Sequence, residues 1–230
     1  MDRSGRIKVA IVDEQRLFTD CLGLVLDRRN YSHCVVPVPE GCGQTNRLLA
    51  RLLAVRPDVL LLNAELGQVC DGGALIAPMT RAGVAVVVIT ESASEAQWGW
   101  CLERGARLVL SKNESMASVL SVVRRVSQDQ PVLERSERDR LIGISRQQDM
   151  TRRDAQERLQ KLSPQEAEIL RHLMSGRTVR EIAVVRVVSE ATVRTQVKAI
   201  LAKLNLQSQL AAVAAAHLGG WGVRPLPIAG

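Results

Sequence analysis

The sequence predicts two units in one chain: an α/β fold with a five-stranded, doubly wound parallel sheet, then an all-α fold of four helices. Three observations carry this. Short β-branched apolar runs alternate with amphipathic helical stretches through residues 7–126. The runs are apolar at successive positions, the pattern of strands covered by helices on both faces. Past residue 160 the period is helical only, and Ser or Thr start signals precede its segments.

Ile7-Lys8-Val9-Ala10-Ile11-Val12 is the first strand, followed by Asp13 and Glu14. Gln15 to Arg29 reads as an amphipathic helix with Leu17, Cys21, Leu24 and Val25 on one stripe. Cys34 to Val38 is the second strand, and Asn46 to Val55 a helix carrying Leu48, Leu49, Leu52 and Leu53. Asp58 to Leu62 is the third strand, and Gly72-Gly73 opens the next helix. Val84 to Ile89 is the fourth strand. Glu95 to Arg104 is a helix that stops at Gly105, a C-cap residue. Arg107 to Leu110 and Glu114 to Val126 complete the fifth βα unit. A sheet of this flavodoxin type gathers its functional groups at the carboxyl ends of the strands. Those ends are Asp13 and Glu14, Asn63, Thr90 and Lys112.

Residues 127–160 lose the apolar pattern and alternate charge sign, which reads as a solvated linker with partial helix. Ser163-Pro164-Gln165-Glu166 then forms a capping box with Pro at the first helical position. Thr178-Val179-Arg180-Glu181 is a second box. Ser189 starts a third helix, with Val193, Val197, Ile200, Leu201 and Leu204 on one face. Ser208 starts a fourth, rich in Ala and Leu, which ends at Gly219-Gly220. A short helix, a tight turn and a longer basic helix make a helix-turn-helix.

Composition narrows the function. The chain has 230 residues and a formal net charge of +7. The excess sits at the end: residues 161–230 hold nine Lys and Arg against four Asp and Glu. A compact basic segment is the electrostatic footprint of a nucleic-acid module. Aromatic residues are 2%, too few for a stacking platform on single strands. Cys21, Cys34, Cys42, Cys70 and Cys101 include no C-x-x-C pair and no His at zinc spacing, so no metal is expected and the thiols read as reduced and mostly buried. Gly41-Cys42-Gly43 lacks the spacing of a dinucleotide loop, which argues against an enzyme of flavodoxin type. No apolar stretch is long enough to span a membrane, so a cytoplasmic location is expected.

With these segments in place, the first half resembles a receiver domain of a two-component response regulator. Leu162-Ser163-Pro164-Gln165-Glu166, Glu181-Ile182-Ala183 and Ser189-Glu190-Ala191-Thr192-Val193 resemble a LuxR-type helix-turn-helix. Together the halves are similar to the NarL/FixJ family. The resemblance implies an atypical receiver over 1–126, a charged linker over 127–160, a DNA-binding domain over 161–219 and a loose tail over 220–230. In such receivers two acidic residues hold Mg²⁺ beside an acceptor Asp, while a hydroxyl and a Lys bind the phosphoryl oxygens. Asp13 and Glu14 match the acidic pair, Thr90 the hydroxyl and Lys112 the ammonium. The acceptor position is Asn63.

A carboxamide is no useful nucleophile toward phosphate and brings no charge to a metal. Val109 also stands where the family has an aromatic residue that reports the movement of the hydroxyl. The expected function is therefore a sequence-specific transcriptional regulator whose receiver acts without Asp phosphorylation, as a dimerisation or ligand-sensing module, with no cofactor and no catalysis. The alternatives are a phospho-activated regulator using Asp13 or Glu65, and a protein that heterodimerises with another regulator. The resemblance places the recognition helix at Ser189 to Leu204. Arg194, Thr195 and Lys198 would face the major groove, with Ser189, Thr192 and Lys203 on phosphates. Leu210, Val213 and Ala214 would dimerise on double-stranded DNA. The helix of Trp98 and Trp100, two apart on different sides, is a second candidate interface, with one ring in the core and the other exposed or in a dimer contact. Arg186 replaces a core Leu of the family, so either Val185 or Val187 shifts inward or the Arg186 stem lies along the core.

Overall fold

The computed structural model describes residues 6–39, 44–66 and 70–221. The Gly41-Cys42-Gly43 stretch, the Cys70 side chain and the tail from residue 222 lie outside the described residues. The chain divides into two compact units, residues 1–146 and 147–230.

The first unit runs β1 (Lys8–Val12), α1 (Arg16–Arg28), β2 (Ser32–Val35), α2 (Thr45–Val55), β3 (Val59–Asn63), β4 (Glu65–Leu66), β5 (Cys70–Asp71), α3 (Gly73–Arg81), β6 (Ala85–Thr90), α4 (Glu95–Glu103), β7 (Leu108–Ser111) and α5 (Met116–Ser127). Five strands form one parallel sheet in the order β2-β1-β3-β6-β7. This is the doubly wound order with its switch point between β1 and β3. Alternate residues of each strand feed opposite faces. Ala10, Val12, Leu60, Leu62, Val86 and Val88 pack on one side with residues of α2, α3 and α4. Val9, Ile11, Val59, Leu61, Val87 and Ile89 pack on the other with α1 and α5. The antiparallel pair β4–β5 is an addition to the sequence reading, too short to leave a period.

Two sequence expectations are corrected. The buried face of α1 is Thr19, Leu22, Gly23 and Leu26, not the stripe of Leu17, Cys21 and Leu24. Leu17 and Leu24 are 79% and 66% exposed and Cys21 is exposed as well. Apolar residues occupy both faces of this helix, so periodicity alone selects the wrong one. Nor are Trp98 and Trp100 divided between core and surface. Both are half-buried against the core cluster. Trp98 Nε1 donates to Ser92 O at 2.8 Å, and the Arg104 guanidinium sits 3.5 Å over the Trp100 ring.

The charged stretch holds one long helix, α6 (Arg135–Leu159), which runs across the boundary between the units. Its first turns close over α4. Gly99 makes the approach possible, since a Cβ there would lie 2.0 Å from Leu141 O. The Arg138 guanidinium donates to Leu102 O and Ala106 O, the last carbonyls of α4 and its exit, at 2.6 and 3.0 Å. Arg140 pairs with Glu95 and Arg146 with Glu103. Leu141 is buried there in the core of the first unit.

The second unit adds α7 (Pro164–Met174), α8 (Val179–Val185), α9 (Glu190–Leu204) and α10 (Gln209–Leu218) to the end of α6. Ser163 with Glu166 and Thr178 with Glu181 form complete capping boxes. Leu159, Ile169, Leu170, Ile182, Val193, Val197, Ile200 and Leu204 share one core, joined by Ala212 and Ala216 of α10. The turn from α8 to α9 passes through Val187 at φ 55°, a left-handed conformation that penalises a β-branched side chain.

Two outcomes are expected. Gly99→Ala should destabilise the first unit by about 1–3 kcal/mol through overpacking against Leu141, seen as a lower urea midpoint. Val187→Gly should instead stabilise the second unit by about 1 kcal/mol by relieving the left-handed strain, seen as a raised melting temperature.

Candidate functional site

Parallel strands place four carboxyl ends side by side. Val12 pairs with Leu62, Asn63 with Ile89, and Thr90 with Ser111. The residues that follow or end these strands are Asp13, Asn63, Thr90 and Lys112, so the structure brings four of the five sequence-selected pocket residues together. Asp13, Asn63 and Thr90 are buried, whereas Glu14 is exposed and turned out of the cluster.

Lys112 Nζ lies 2.9 Å from Asp13 Oδ2 and 3.2 Å from Oδ1. Both side chains are nearly sealed, at 8% and 2% exposure. Glu91 Oε1 stands 3.7 Å from the same ammonium, and the Phe18 ring centroid is 5.5 Å away. Asp13 Oδ1 also accepts from Gln15 N at 2.9 Å. Asp13 thus serves as the counter-ion of Lys112 and as a turn-former ahead of α1.

Asn63 turns the chain. Its Oδ1 accepts from Glu65 N at 3.0 Å, an Asx-type turn. That turn delivers the Glu65 carboxylate to Thr90, whose hydroxyl donates to Glu65 Oε1 at 3.1 Å. Gln97 Nε2 of α4 reaches the same oxygen at 3.5 Å. Thr90 Oγ1 in turn accepts from Ser92 N at 3.0 Å. The Thr90 hydroxyl and the Lys112 ammonium are therefore both engaged by carboxylates of this chain. Among the described residues, no group of three or more His, Cys, Asp and Glu is placed to hold a metal ion. Burial pushes the Cys101 thiol up to about 11, leaving it a core residue at neutral pH.

The second candidate surface is α9. Ala191, Arg194, Thr195, Lys198 and Ala202 share its exposed face, opposite the buried Val193, Val197, Ile200 and Leu204. Ser189 caps the helix, accepting from Thr192 N at 3.1 Å, and its hydroxyl lies 2.9 Å from that of Thr192. Arg194 makes an i,i+4 pair with Glu190 at 2.9 Å, and both partners are open to solvent. Such a pair holds weakly and can exchange Glu190 for an anion. Lys203 lies off this face, its Nζ 2.7 Å from Glu166 Oε2 of the first capping box. Arg186 is held by Glu168, with its side chain mostly covered, while Val185 and Val187 point outward. Neither Val185 nor Val187 therefore shifts inward, and of the three side chains that of Arg186 is the most covered. On α10, Leu210 is 79% exposed, Ala214 is exposed and Val213 is half-buried.

Sequence reasoning missed His172 of α7. It is buried, and its Nδ1 accepts from Arg177 Nη1 at 2.9 Å. A guanidinium can only donate, so the ring proton sits on Nε2, which finds no partner among the described residues. A lone His in an amphipathic helix carries no sequence signal of this.

Residues 160–216 match the family model "Bacterial regulatory proteins, luxR family". The second unit is a luxR-family domain. The luxR-family domain supplies the helix-turn-helix, so the chain carries the DNA-binding module of a transcriptional regulator. Curated relatives match most of the chain. A nitrate/nitrite response regulator homolog of Haemophilus influenzae is 23% identical, covering 90% of this chain and 94% of its own. The uncharacterized transcriptional regulatory protein YvfU of Bacillus subtilis is 23% identical, covering 94% and 99%. Among solved structures, the response regulator ChrA of a heme-sensing two-component system matches at 22% identity, TM-score 0.46, covering 94% of this chain and 99% of that one. Salmonella typhimurium RcsB matches at 19% identity, TM-score 0.49, covering 93% and 98%.

Removing one partner of the sealed ion pair should be costly. Lys112→Ala is expected to destabilise the first unit by about 3–5 kcal/mol, read by urea unfolding. For the luxR-family domain, burial first, then the Arg177 charge, hold the His172 pKa below its ordinary 6.5. As pH falls the unfolded chain takes up the proton first. The stability this histidine contributes is complete above pH 6.5 and is lost as pH drops through the depressed folded value. His172→Gln should flatten that part of the stability–pH curve, measured by thermal melts between neutral pH and pH 5.

Proposed function

We propose that this protein binds specific double-stranded DNA sites as a homodimer in the cytoplasm, through α9, and that its first unit works without phosphorylation of an aspartate. The observation that carries this reading is the strand-end cluster. The acceptor position is Asn63, a carboxamide consumed in making the turn to Glu65. Thr90 is bound by Glu65, and Lys112 by Asp13. An incoming phosphoryl group would have to break both contacts and would still meet no nucleophile at the strand end.

On DNA, Arg194 and Lys198 would present long cations to the groove, four residues apart on one helix face. Ser189 and Thr192, at the positive end of the α9 dipole, suit a phosphate. Lys203 reaches a phosphate only by leaving Glu166.

The test is fluorescence anisotropy of the full chain on a duplex selected from random sequence, with and without Mg²⁺ and beryllofluoride. Equal affinity in both conditions is expected. Tighter binding with beryllofluoride would mean that another carboxylate, Asp13 or Glu65, accepts the acyl-phosphate mimic. On the same duplex Arg194→Ala should weaken binding by roughly 1–3 kcal/mol, with little change on a scrambled duplex.

A further inference from the structure

Helix α1 ends in a tight turn. Asn30 takes φ 65°, a left-handed conformation that asparagine tolerates. Leu26 O accepts from the backbone N–H of both Arg29 and Tyr31. The turn sets these two residues beside α5, since Leu26 shares a core cluster with Val119 and Val123. A cleft of about 330 Å³ opens there. Arg29 and Tyr31 line it from the turn, and Ala117, Leu120, Ser121 and Arg124 line it from α5. The four α5 positions are spaced i, i+3, i+4 and i+7, one face of the helix. Tyr31 and Leu120 are half-buried against the core. Arg29 and Arg124 are exposed, and their guanidinium groups have no hydrogen-bond or ion-pair partner among the described residues.

We propose that this cleft is a binding site for a nucleoside monophosphate. No carboxylate lines it, so the two guanidinium groups meet no counter-charge there. A guanidinium stays charged at any ordinary pH and offers a planar fork that matches phosphate oxygens. A phosphomonoester carries a charge of about −1.5 to −2 at neutral pH, which two arginines balance. A singly charged phosphodiester or carboxylate would leave one arginine unbalanced. The Ser121 hydroxyl supplies a further donor for a phosphate oxygen. The Tyr31 ring and Leu120 give the same cleft an apolar wall, the surface a flat base stacks on.

The volume lies at the small end of ligand sites. It suits one mononucleotide rather than a dinucleotide. A ligand held by Arg29 and Arg124 together ties the exit of α1 to α5, and so stabilises the first unit by mass action. The inference goes beyond the reading above. Neither α9 nor the strand-end cluster contributes a residue to the cleft, so its failure leaves the DNA-binding reading standing.

The experiment is isothermal titration calorimetry of the full chain, off DNA, with AMP, GMP, CMP and UMP in turn, and with inorganic phosphate and adenosine as the separated halves of a ligand. Saturable one-to-one binding of a nucleoside monophosphate is expected, with either half alone weaker by roughly tenfold or more. Arg29→Gln and Arg124→Gln should each weaken the mononucleotide roughly tenfold or more. Arg28→Gln, an exposed neighbour outside the cleft, should leave the affinity unchanged. Tyr31→Leu should weaken the mononucleotide but not inorganic phosphate. Circular dichroism of each variant checks that it folds. The absence of saturable binding by all four mononucleotides at millimolar concentration overturns the proposal. So does an equal loss from Arg28→Gln, which would mark a generally basic surface, or inorganic phosphate binding as tightly as the mononucleotides. Binding that Arg194→Gln abolishes and the cleft variants spare would place the ligand on α9 and overturn it as well.

Discussion

An ammonium sealed at the edge of a sheet must be neutralised, and the first unit is arranged around that requirement. Lys112 leaves β7 and Asp13 leaves β1, with β3 and β6 between them. Their contact at 2.9 Å spans the carboxyl edge of the sheet. Taking two charges from water is repaid only when geometry and extra hydrogen bonds are good. Gln15 N on Asp13, and Glu91 and the Phe18 ring near Lys112, supply that support. The chain fills the rest of the edge with its own carboxylate: Asn63 bends the backbone, Glu65 swings in, and Thr90 and Gln97 bind it. The carboxyl edge is thereby held together by internal charge balance.

Most of the fold was legible because strand and helix periods differ. The solid apolar runs at Val59–Leu62 and Val86–Ile89 could only be strands covered on both sides, and that decided a parallel sheet. The strand ends then followed, and with them Asp13, Asn63, Thr90 and Lys112. The misreading of α1 has a definite cause. Leu17 and Leu24 line one face and Leu22 and Leu26 the other, and the inward face also carries Thr19 and Gly23, which weaken its apolar signal. Helix α6 was half hidden because its mean composition is charged and only Leu141, Ala155 and Leu159 among its side chains are deeply buried apolar groups. The partner that Glu65 finds in Thr90 depends on an Asx turn and a two-residue strand, neither of which leaves a period.

The luxR-family domain shows the opposite balance. Its capping boxes at Ser163 and Thr178 and the Ser189 cap are written directly in sequence and appear as hydrogen bonds of the expected kind. What sequence could not supply was which cations are free. Lys203 is bound to Glu166 and Arg186 to Glu168, leaving Arg194 and Lys198 as the outward pair on α9, with Arg194 only loosely tied to Glu190. His172 and Arg177 form a further buried polar contact behind α7.

The close approach of α6 to α4 bears on where the first unit can be cut. Gly99 against Leu141 O is a backbone-to-backbone contact, and Leu133 and Ile142 pack on the same core cluster. A fragment ending after α5 would uncover the cleft beside Gly99, strip the apolar rim around Leu102 and Ala106, and leave two carbonyls without the Arg138 donors. A fragment that keeps residues through 146 retains the lid. For anyone dissecting this protein, the helix that looks like a connector is structural cladding for the domain before it.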